Sequence, residues 1–465
     1  MNQYKNLILL TDIGSTYTKV TLIDLEQEVV LGKDMSATTV DTDAKIGMET
    51  AIRKLEEEMH IGLSNITNIK SSSAAGGLKI VALGLVPELT LKAAEMAALG
   101  AGAKIVGAFG YGLNDNEINQ IGNLKPDIIL LTGGTNGGNE EVVLKNSSSL
   151  AKLNIKCPYI YAGNKSVSDK VKSIFVNKGK EVIITENVLP KLDVLNVQPV
   201  RKCIRELFIQ NIIKAKGLDV IKDILMPTPV AVMEAAKLLS EGSNDKPGLG
   251  DLMVIDIGGA TTDVHSIAPW VPGETNVVLS GLPEPYCNRT VEGDLGVRIN
   301  ADSILNIGME KSEAHIVENK EKYFSYVSRL KNENWVLPVD QSEHLMDYNL
   351  AKIAIKKALE RHCGFWKEVY YPGGKVIFQH GKDLRKVKFI IGTGGIFVKN
   401  KYMKDNIKQL LKPNLPHLTP INSTIYFDNQ YLLYAIGLLS GYNKKTALNI
   451  MLKNLTIGLH EIKSL

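Results

Sequence analysis

Two short segments, one at the start of the chain and one about halfway along it, read alike. In the first, the apolar run Asn6-Leu-Ile-Leu-Leu-Thr11 leads into Asp12-Ile-Gly14-Ser15-Thr16, and a second strand-like run follows from Thr18 to Asp24. In the second, Leu252-Met-Val-Ile leads into Asp256-Ile-Gly258-Gly259-Ala260-Thr261, followed by Thr262-Asp263-Val-His-Ser-Ile267. Each is strand, Asp-Gly turn, strand. An internal repeat on this scale predicts a fold built from two like halves. A length of 465 residues suits two to four domains.

The turns carry the chemistry. Backbone N–H groups hold a phosphate when the chain comes close to it, and glycine permits that approach. Neighbouring hydroxyls add donors. A carboxylate ending the first strand can hold Mg²⁺ directly or through water. One such turn alone is usually a plain hairpin. Two in register, with the later Gly392-Thr393-Gly394-Gly395 turn, point to a nucleotide gripped from both sides. The candidate nucleotide-binding residues are Gly14, Ser15, Thr16, Gly258, Gly259, Thr261, Gly392, Thr393, Gly394 and Gly395. Asp12 and Asp256 are candidate metal ligands. Asp12, Asp256 and Asp263 are the carboxylates able to orient water or metal; the bland reading of Asp263 is a hairpin surface residue.

Between the repeats the texture changes. After a helix capped near Asp41–Asp43, a strand Leu78–Leu85 and a helix Glu88–Leu99, four apolar runs alternate with polar, helix-like segments. These runs are Lys104–Ala108, Asp127–Thr132, Tyr159–Ala162 and Glu181–Thr185. Continuous apolar strands of this kind predict a parallel sheet. The expected division is a first lobe over 1–102, an inserted βαβ domain over 103–199, connecting helices and linker over 200–250, and a second lobe over 251–465. The loop Gly133–Gly138 follows one of the parallel strands, where α/β proteins often bind ligands.

Composition excludes several classes. There are 54 basic and 50 acidic residues, so net charge gives no reason to expect nucleic acid or a membrane as partner. The densest basic stretch, Lys382–Lys388, reads as a solvated turn or strand edge. No apolar stretch reaches the length of a membrane span, and no secretory signal is present. Cys157, Cys203, Cys287 and Cys363 are widely spaced, which fits buried thiols in a reducing cytoplasm better than a disulfide scaffold or zinc ribbon. His265 and His362 have no partner at metal-ligand spacing. Glu292-Gly293-Asp294 either lines the cleft or forms a simple turn with a helix cap.

Asp12-Ile-Gly-Ser-Thr-Tyr-Thr-Lys19 resembles the first phosphate motif of the actin, hexokinase and DnaK-type chaperone superfamily, with Lys19 where actin-type members have a phosphate-contacting lysine. Asp256-Ile-Gly-Gly-Ala-Thr-Thr-Asp263 resembles the second phosphate motif, and Ile390-Ile-Gly-Thr-Gly-Gly395 the adenosine motif. Pro227-Thr-Pro-Val-Ala231 and Tyr431–Leu439 are similar to the two connecting segments. The resemblance implies an α/β, two-lobed actin-like fold (an RNase H-like repeat) with the βαβ domain inserted, and ATP with Mg²⁺ as cofactors. A narrower resemblance rests on Ser73-Ala-Ala-Gly-Gly-Leu-Lys79, Ala94–Gly107, Leu131-Thr-Gly-Gly-Thr-Asn-Gly-Gly138 and Arg289-Thr-Val-Glu-Gly-Asp-Leu-Gly-Val-Arg298. These are similar to the MutL accessory proteins of glutamate mutase and related adenosylcobalamin-dependent aminomutases, which are distinct from mismatch-repair MutL.

That resemblance implies a chaperone-like ATPase that reactivates such a mutase, its partner. Chaperone-type members carry a glutamate where this chain has Met226, which implies slow hydrolysis. A small-molecule kinase is the alternative, and would need a base beside an acceptor hydroxyl. An activator carrying an iron–sulfur cluster would need cysteines gathered around the second lobe, and Cys287 and Cys363 are isolated.

Overall fold

The computed structural model describes residues 6–14, 17–39, 44–73, 78–209, 224–333, 337–372, 374–406, 413–457 and 460–461. Ser15, Thr16, the Asp41–Asp43 cap and residues 74–77 of the Ser73–Lys79 motif lie outside the described residues. The chain forms two compact units. One comprises Met1–Ala74, Asp223–Leu279 and Pro285–Leu465; the other comprises Ala75–Lys222 with Ser280–Glu284.

The first unit contains the expected duplication. In its N-terminal half, β1 (Leu7–Ile13), β2 (Tyr17–Asp24), β3 (Val29–Ala37), β4 (Thr67–Ser72) and β10 (Ile224–Pro227) form a sheet ordered β10-β4-β1-β2-β3. β1 and β2, and β2 and β3, pair antiparallel; β1 with β4 and β4 with β10 pair parallel. In the C-terminal half, β13 (Leu252–Ile257), β14 (Thr262–Ile267), β16 (Cys287–Glu292), β19 (Phe389–Thr393) and β20 (Thr424–Phe427) repeat that order and those senses of pairing as β16-β14-β13-β19-β20. The short strands β21 (Thr456–Ile457) and β22 (His460–Glu461) extend this sheet. β1 and β13 are central and buried along nearly their whole length, which is why both read as unbroken apolar runs up to the aspartate.

A first connecting helix, Thr228–Glu241, follows β10, and a second, Leu433–Ser440, follows β20. They cross closely. A Cβ placed on Gly437 would lie 1.8 Å from the Ala231 carbonyl oxygen. Ala231, Ala235, Ala236, Ala435 and Ile436 are buried in the core around this crossing, and small side chains let the two backbones approach. Thr21 Oγ1 and Tyr434 Oη hydrogen-bond at 2.8 Å, joining β2 to the second helix. The two-residue strands β11 (Gly242–Ser243) and β12 (Lys246–Pro247) make a small ribbon after the first connecting helix.

Residues 300–388, for which the sequence offered few signals, supply the largest core cluster. Helices Ala301–Glu310, Lys320–Asn332 and Gln341–His362 pack over the second sheet. A hairpin of β17 (Phe365–Tyr371) and β18 (Gly374–His380), joined by β15 (Val277–Ser280), forms a separate three-stranded sheet. The Lys382–Lys388 stretch departs from expectation. Lys382 is fully buried, its Nζ donating to the Tyr286 carbonyl oxygen at 2.8 Å, and Asp383 binds Arg385.

In the second unit, β5 (Lys79–Leu83), β6 (Lys104–Phe109), β7 (Ile128–Leu131), β8 (Tyr159–Tyr161) and β9 (Val182–Ile184) form an all-parallel sheet ordered β6-β5-β7-β8-β9. Four of these strands fall on the four expected apolar runs. The borders differ from the expected 103 and 199, because β5 is a central strand of this sheet. The helix Lys92–Gly100 belongs here too, packed against Gln198–Leu207, where Arg201 Nη2 donates to the Met96 carbonyl oxygen at 3.2 Å.

Candidate functional site

The duplicated register places equivalent residues side by side. In the first half, Asp12 pairs with Lys19 on β2 and with Ser71 on β4, and Ser71 pairs with Met226 on β10. In the second, Asp256 pairs with Asp263 on β14 and with Thr393 on β19. Asp263 therefore occupies the position of Lys19, and Thr393 that of Ser71.

Asp12 is almost wholly buried. Its Oδ1 accepts from Ser71 Oγ at 3.1 Å and from Thr228 Oγ1, the first residue of the first connecting helix. Its Oδ2 lies 3.7 Å from Lys19 Nζ. Lys19 reaches across to the second half: its ammonium sits 5.1 Å from the Tyr431 ring centroid and 5.9 Å from that of Tyr434. Both hairpin turns close by the same bond, Gly14 N to the Tyr17 carbonyl oxygen at 3.1 Å and Gly258 N to the Thr261 carbonyl oxygen at 2.9 Å. A Cβ on Gly14 would come within 2.6 Å of that Tyr17 oxygen, so the tight turn excludes any side chain.

Asp256 is half-buried, and its carboxyl is pushed up to about 7. Loss of hydration is the main cause, and the negative charges of Asp263, Asp12 and Asp428 add to it while Lys19 opposes. Lys19 and Asp12 of the first half are thus close enough to Asp256 to act on its charge. Asp263 is held by Arg289, whose Nε donates to Oδ1 at 2.9 Å, and by Thr261 Oγ1 at 3.0 Å. Both carboxylate oxygens of Asp263 are thus engaged by protein donors.

The third glycine turn closes the arrangement. Gly394 has φ of +100°, and a Cβ on it would stand 2.2 Å from the Ile257 carbonyl oxygen. The Gly392–Gly395 turn is thus locked against the end of β13. Thr393 Oγ1 donates to Asp428 Oδ2 at 3.1 Å. Asp428 also accepts from the N–H groups of Leu432 at 2.7 Å and Leu433 at 3.1 Å, and burial raises its carboxyl above the ordinary range. Gly395 approaches Tyr431, whose hydroxyl would lie 3.6 Å from a Cβ there.

Among the described candidates, Asp12 lies beside Lys19, and Asp256 pairs with Asp263 and Thr393 on the neighbouring strands. Thr228, Arg289 and Tyr431 fall within motifs quoted from the sequence but were given no role of their own, and Asp428 was not singled out; Ser71 occupies in β4 the position that Thr393 has in β19. Glu292 and Asp294 are clamped by Arg361 at 2.8 and 2.6 Å. Asp294 and Arg361 stand at a polar cavity of about 460 Å³ that Lys311 and Lys357 also line. His265 and His362 are buried, and His362 Nδ1 bonds Thr290 Oγ1. None of the four cysteines is in a disulfide. Among the described residues no helix is long and apolar enough to cross a membrane, and no group of three or more His, Cys, Asp or Glu is gathered for a metal. Two facing carboxylates fit Mg²⁺, which commonly takes one or two from protein and the rest from phosphate and water.

The sequence pattern of the family described as MutL protein matches residues 8–455. A relative named Protein MutL, from Clostridium tetanomorphum, is 43% identical over 459 residues, covering 96% of this chain and 98% of that one. Among solved structures, a glycerol dehydratase reactivase is 10% identical with a TM-score of 0.34, covering 94% of this chain and 99% of that one. The xylulose kinase of Bifidobacterium adolescentis is 12% identical with a TM-score of 0.32, covering 96% and 93%. The family match over nearly the whole chain, with the 43% identical relative, establishes that this chain belongs to the MutL family.

Proposed function

We propose that this protein binds Mg-ATP or Mg-ADP between its two Asp-Gly hairpins and acts as an accessory factor for an adenosylcobalamin-dependent aminomutase of the glutamate mutase kind. The observation that carries the nucleotide reading is the pair Asp12 and Asp256, in equivalent positions of the two halves, with Lys19 between them. Asp12 and Asp256 would hold the metal. Gly14, Ser15, Thr16, Gly258, Gly259 and Thr261 would offer backbone and hydroxyl donors to phosphate, with Lys19 swinging from Asp12 to it. The turn Gly392–Gly395 would carry the adenosine. Mg²⁺ would neutralise phosphate charge.

Turnover is expected to be slow. Met226 stands in the same row as Asp12, where a thioether cannot orient water, and Asp263 is committed to Arg289. The two halves meet at the connecting helices, so nucleotide-dependent closure of the cleft would present two states to a partner. The partner is proposed from family membership and the motif resemblance. A mutase trapped with damaged cofactor must open to release it, and a factor that binds its open form in one nucleotide state would supply that free energy. Four cysteines outside any disulfide, three of them buried, fit a cytoplasmic setting.

The test is recovery of activity. A glutamate mutase inactivated in vitro is incubated with this protein, ATP, Mg²⁺ and fresh adenosylcobalamin. Faster recovery than without the protein supports the reading. Equal recovery, with no binding in any nucleotide state, rejects the accessory role. A phosphorylated small molecule as product, in place of free phosphate, would favour a kinase.

A further inference from the structure

The second hairpin turn is held by a segment to which the nucleotide reading gives no role. Residues 295–300, shortly after β16, pack against Gly258–Thr261. The approach is close: a Cβ on Gly296 would stand 2.4 Å from the Ala260 carbonyl oxygen and 2.5 Å from that of Gly259. Three successive carbonyls of the turn accept from this segment. The Gly258 oxygen accepts from Val297 N at 3.2 Å, and the Gly259 oxygen from Arg298 N at 3.0 Å and Ile299 N at 2.9 Å. The Ala260 oxygen accepts from Asn300 Nδ2 at 2.7 Å.

Those bonds fix which way the donors of the turn point. In a planar trans peptide, the C=O and the N–H that follows it lie on opposite sides. Three carbonyls drawn to one side therefore turn the N–H groups of Gly259, Ala260 and Thr261 to the other. None of these three donates to a protein acceptor among the described residues. Successive N–H groups presented together form an anion-binding concavity. Gly258 and Gly259 alone would not impose that direction, because glycine adopts mirror-image conformations at little cost.

The segment is itself anchored. Arg298 Nη1 and Nη2 donate to Asp347 Oδ1 at 2.9 Å and Oδ2 at 2.7 Å. Asp347 is buried in the helix Gln341–His362 and accepts a third bond, from Tyr326 Oη at 2.7 Å, on the helix Lys320–Asn332. The fork of a guanidinium on a carboxylate fixes orientation as well as distance. Asn300 is steadied by a second bond from Nδ2 to the Gly293 carbonyl oxygen at 3.0 Å. The residue whose side chain is clamped by Asp347 is thus the one whose N–H holds the Gly259 carbonyl.

We infer that Arg298, Asn300 and Asp347 are positioning residues for phosphate. Through the carbonyls of Gly258, Gly259 and Ala260 they aim the N–H groups of Gly259, Ala260 and Thr261 at the phosphate chain. This rests on the nucleotide reading and adds to it residues that act through the turn.

The test uses the full chain, with calorimetric titration of Mg-ATP, Mg-pyrophosphate and adenosine, and thermal melts without ligand. Asn300→Ala releases the Ala260 carbonyl at a half-buried position, and Arg298→Lys keeps the charge while losing the fork. Each is expected to weaken Mg-ATP and Mg-pyrophosphate about tenfold or more. Adenosine, which lacks phosphate, is expected to bind as to wild type. Wild-type affinity for Mg-ATP in both variants overturns the positioning role and leaves the nucleotide reading standing. Equal loss for adenosine and Mg-ATP, with a lowered melting temperature, marks a general disturbance and also overturns it. No Mg-ATP binding by wild type overturns the nucleotide reading and this inference with it. Should Arg298→Lys fail to fold, Asn300→Ala decides alone.

Discussion

The raised carboxyl of Asp256 makes the proposed metal site pH-dependent, with a sign fixed by the structure. Its ordinary value of 3.8 moves to about 7 because burial and the neighbouring carboxylates disfavour the charged form. The folded value exceeds the unfolded one, so this group's contribution to stability is present at low pH and lost as pH rises through about 7. A move of that size corresponds to an upper limit of about 4 kcal/mol, and its partial exposure reduces it. Metal and proton compete for the carboxylate. With one proton displaced at an acidity near 7, Mg²⁺ affinity in the nucleotide complex should rise about tenfold from pH 6 to pH 8. Asp256→Asn, close in shape and unable to ionise, should lose that slope and, without metal, be more stable than wild type at pH 8. Calorimetric titration of Mg-ADP at both pH values, with thermal melts in EDTA, measures each part. An affinity that is flat with pH in wild type, or an Asn variant retaining the slope, refutes the assignment of Asp256 as metal ligand.

Three further outcomes are expected. Asp12→Ala should abolish the Mg-dependent part of nucleotide-induced thermal stabilisation and leave Ser71 and Thr228 without their shared acceptor; an unchanged Mg-dependent shift places the metal elsewhere. Gly437→Ala should destabilise the protein by about 1–3 kcal/mol in denaturant titration, because the new methyl meets the Ala231 carbonyl oxygen at 1.8 Å and the connecting helices must separate; wild-type stability would contradict the crossing. Gly394→Ala should weaken ATP binding by tenfold or more with a folded second half, since φ of +100° and the Ile257 carbonyl oxygen leave no space for a methyl group in the turn; isothermal titration with circular dichroism checks both.

Periodicity and repetition made much of this protein legible in advance. The two Asp-Gly hairpins stood out because both central strands are buried along nearly their whole length, so each aspartate is a polar stop in an apolar run. The runs that became β7 and β8 stood out for the same reason, while β6 and β9, at the edges of their sheet, are only partly buried. What sequence could not supply was anything that depends on partners distant in the chain. That β5 joins β6 and β7 and not the first sheet is decided by which neighbours its backbone hydrogen-bonds, and its apolar residues suit either sheet. Lys382 reads as solvent-facing until folding brings the Tyr286 carbonyl oxygen to its ammonium. Asp263 looks like a free carboxylate until Arg289 arrives from the adjacent strand. Thus the sequence alone determined the two phosphate-type turns, since glycine and aspartate act there through local backbone geometry. The tertiary structure alone decided the charge state of Asp256 and the pairing of Asp263, because electrostatic energy depends on distances and hydration that exist only once the halves have closed on each other.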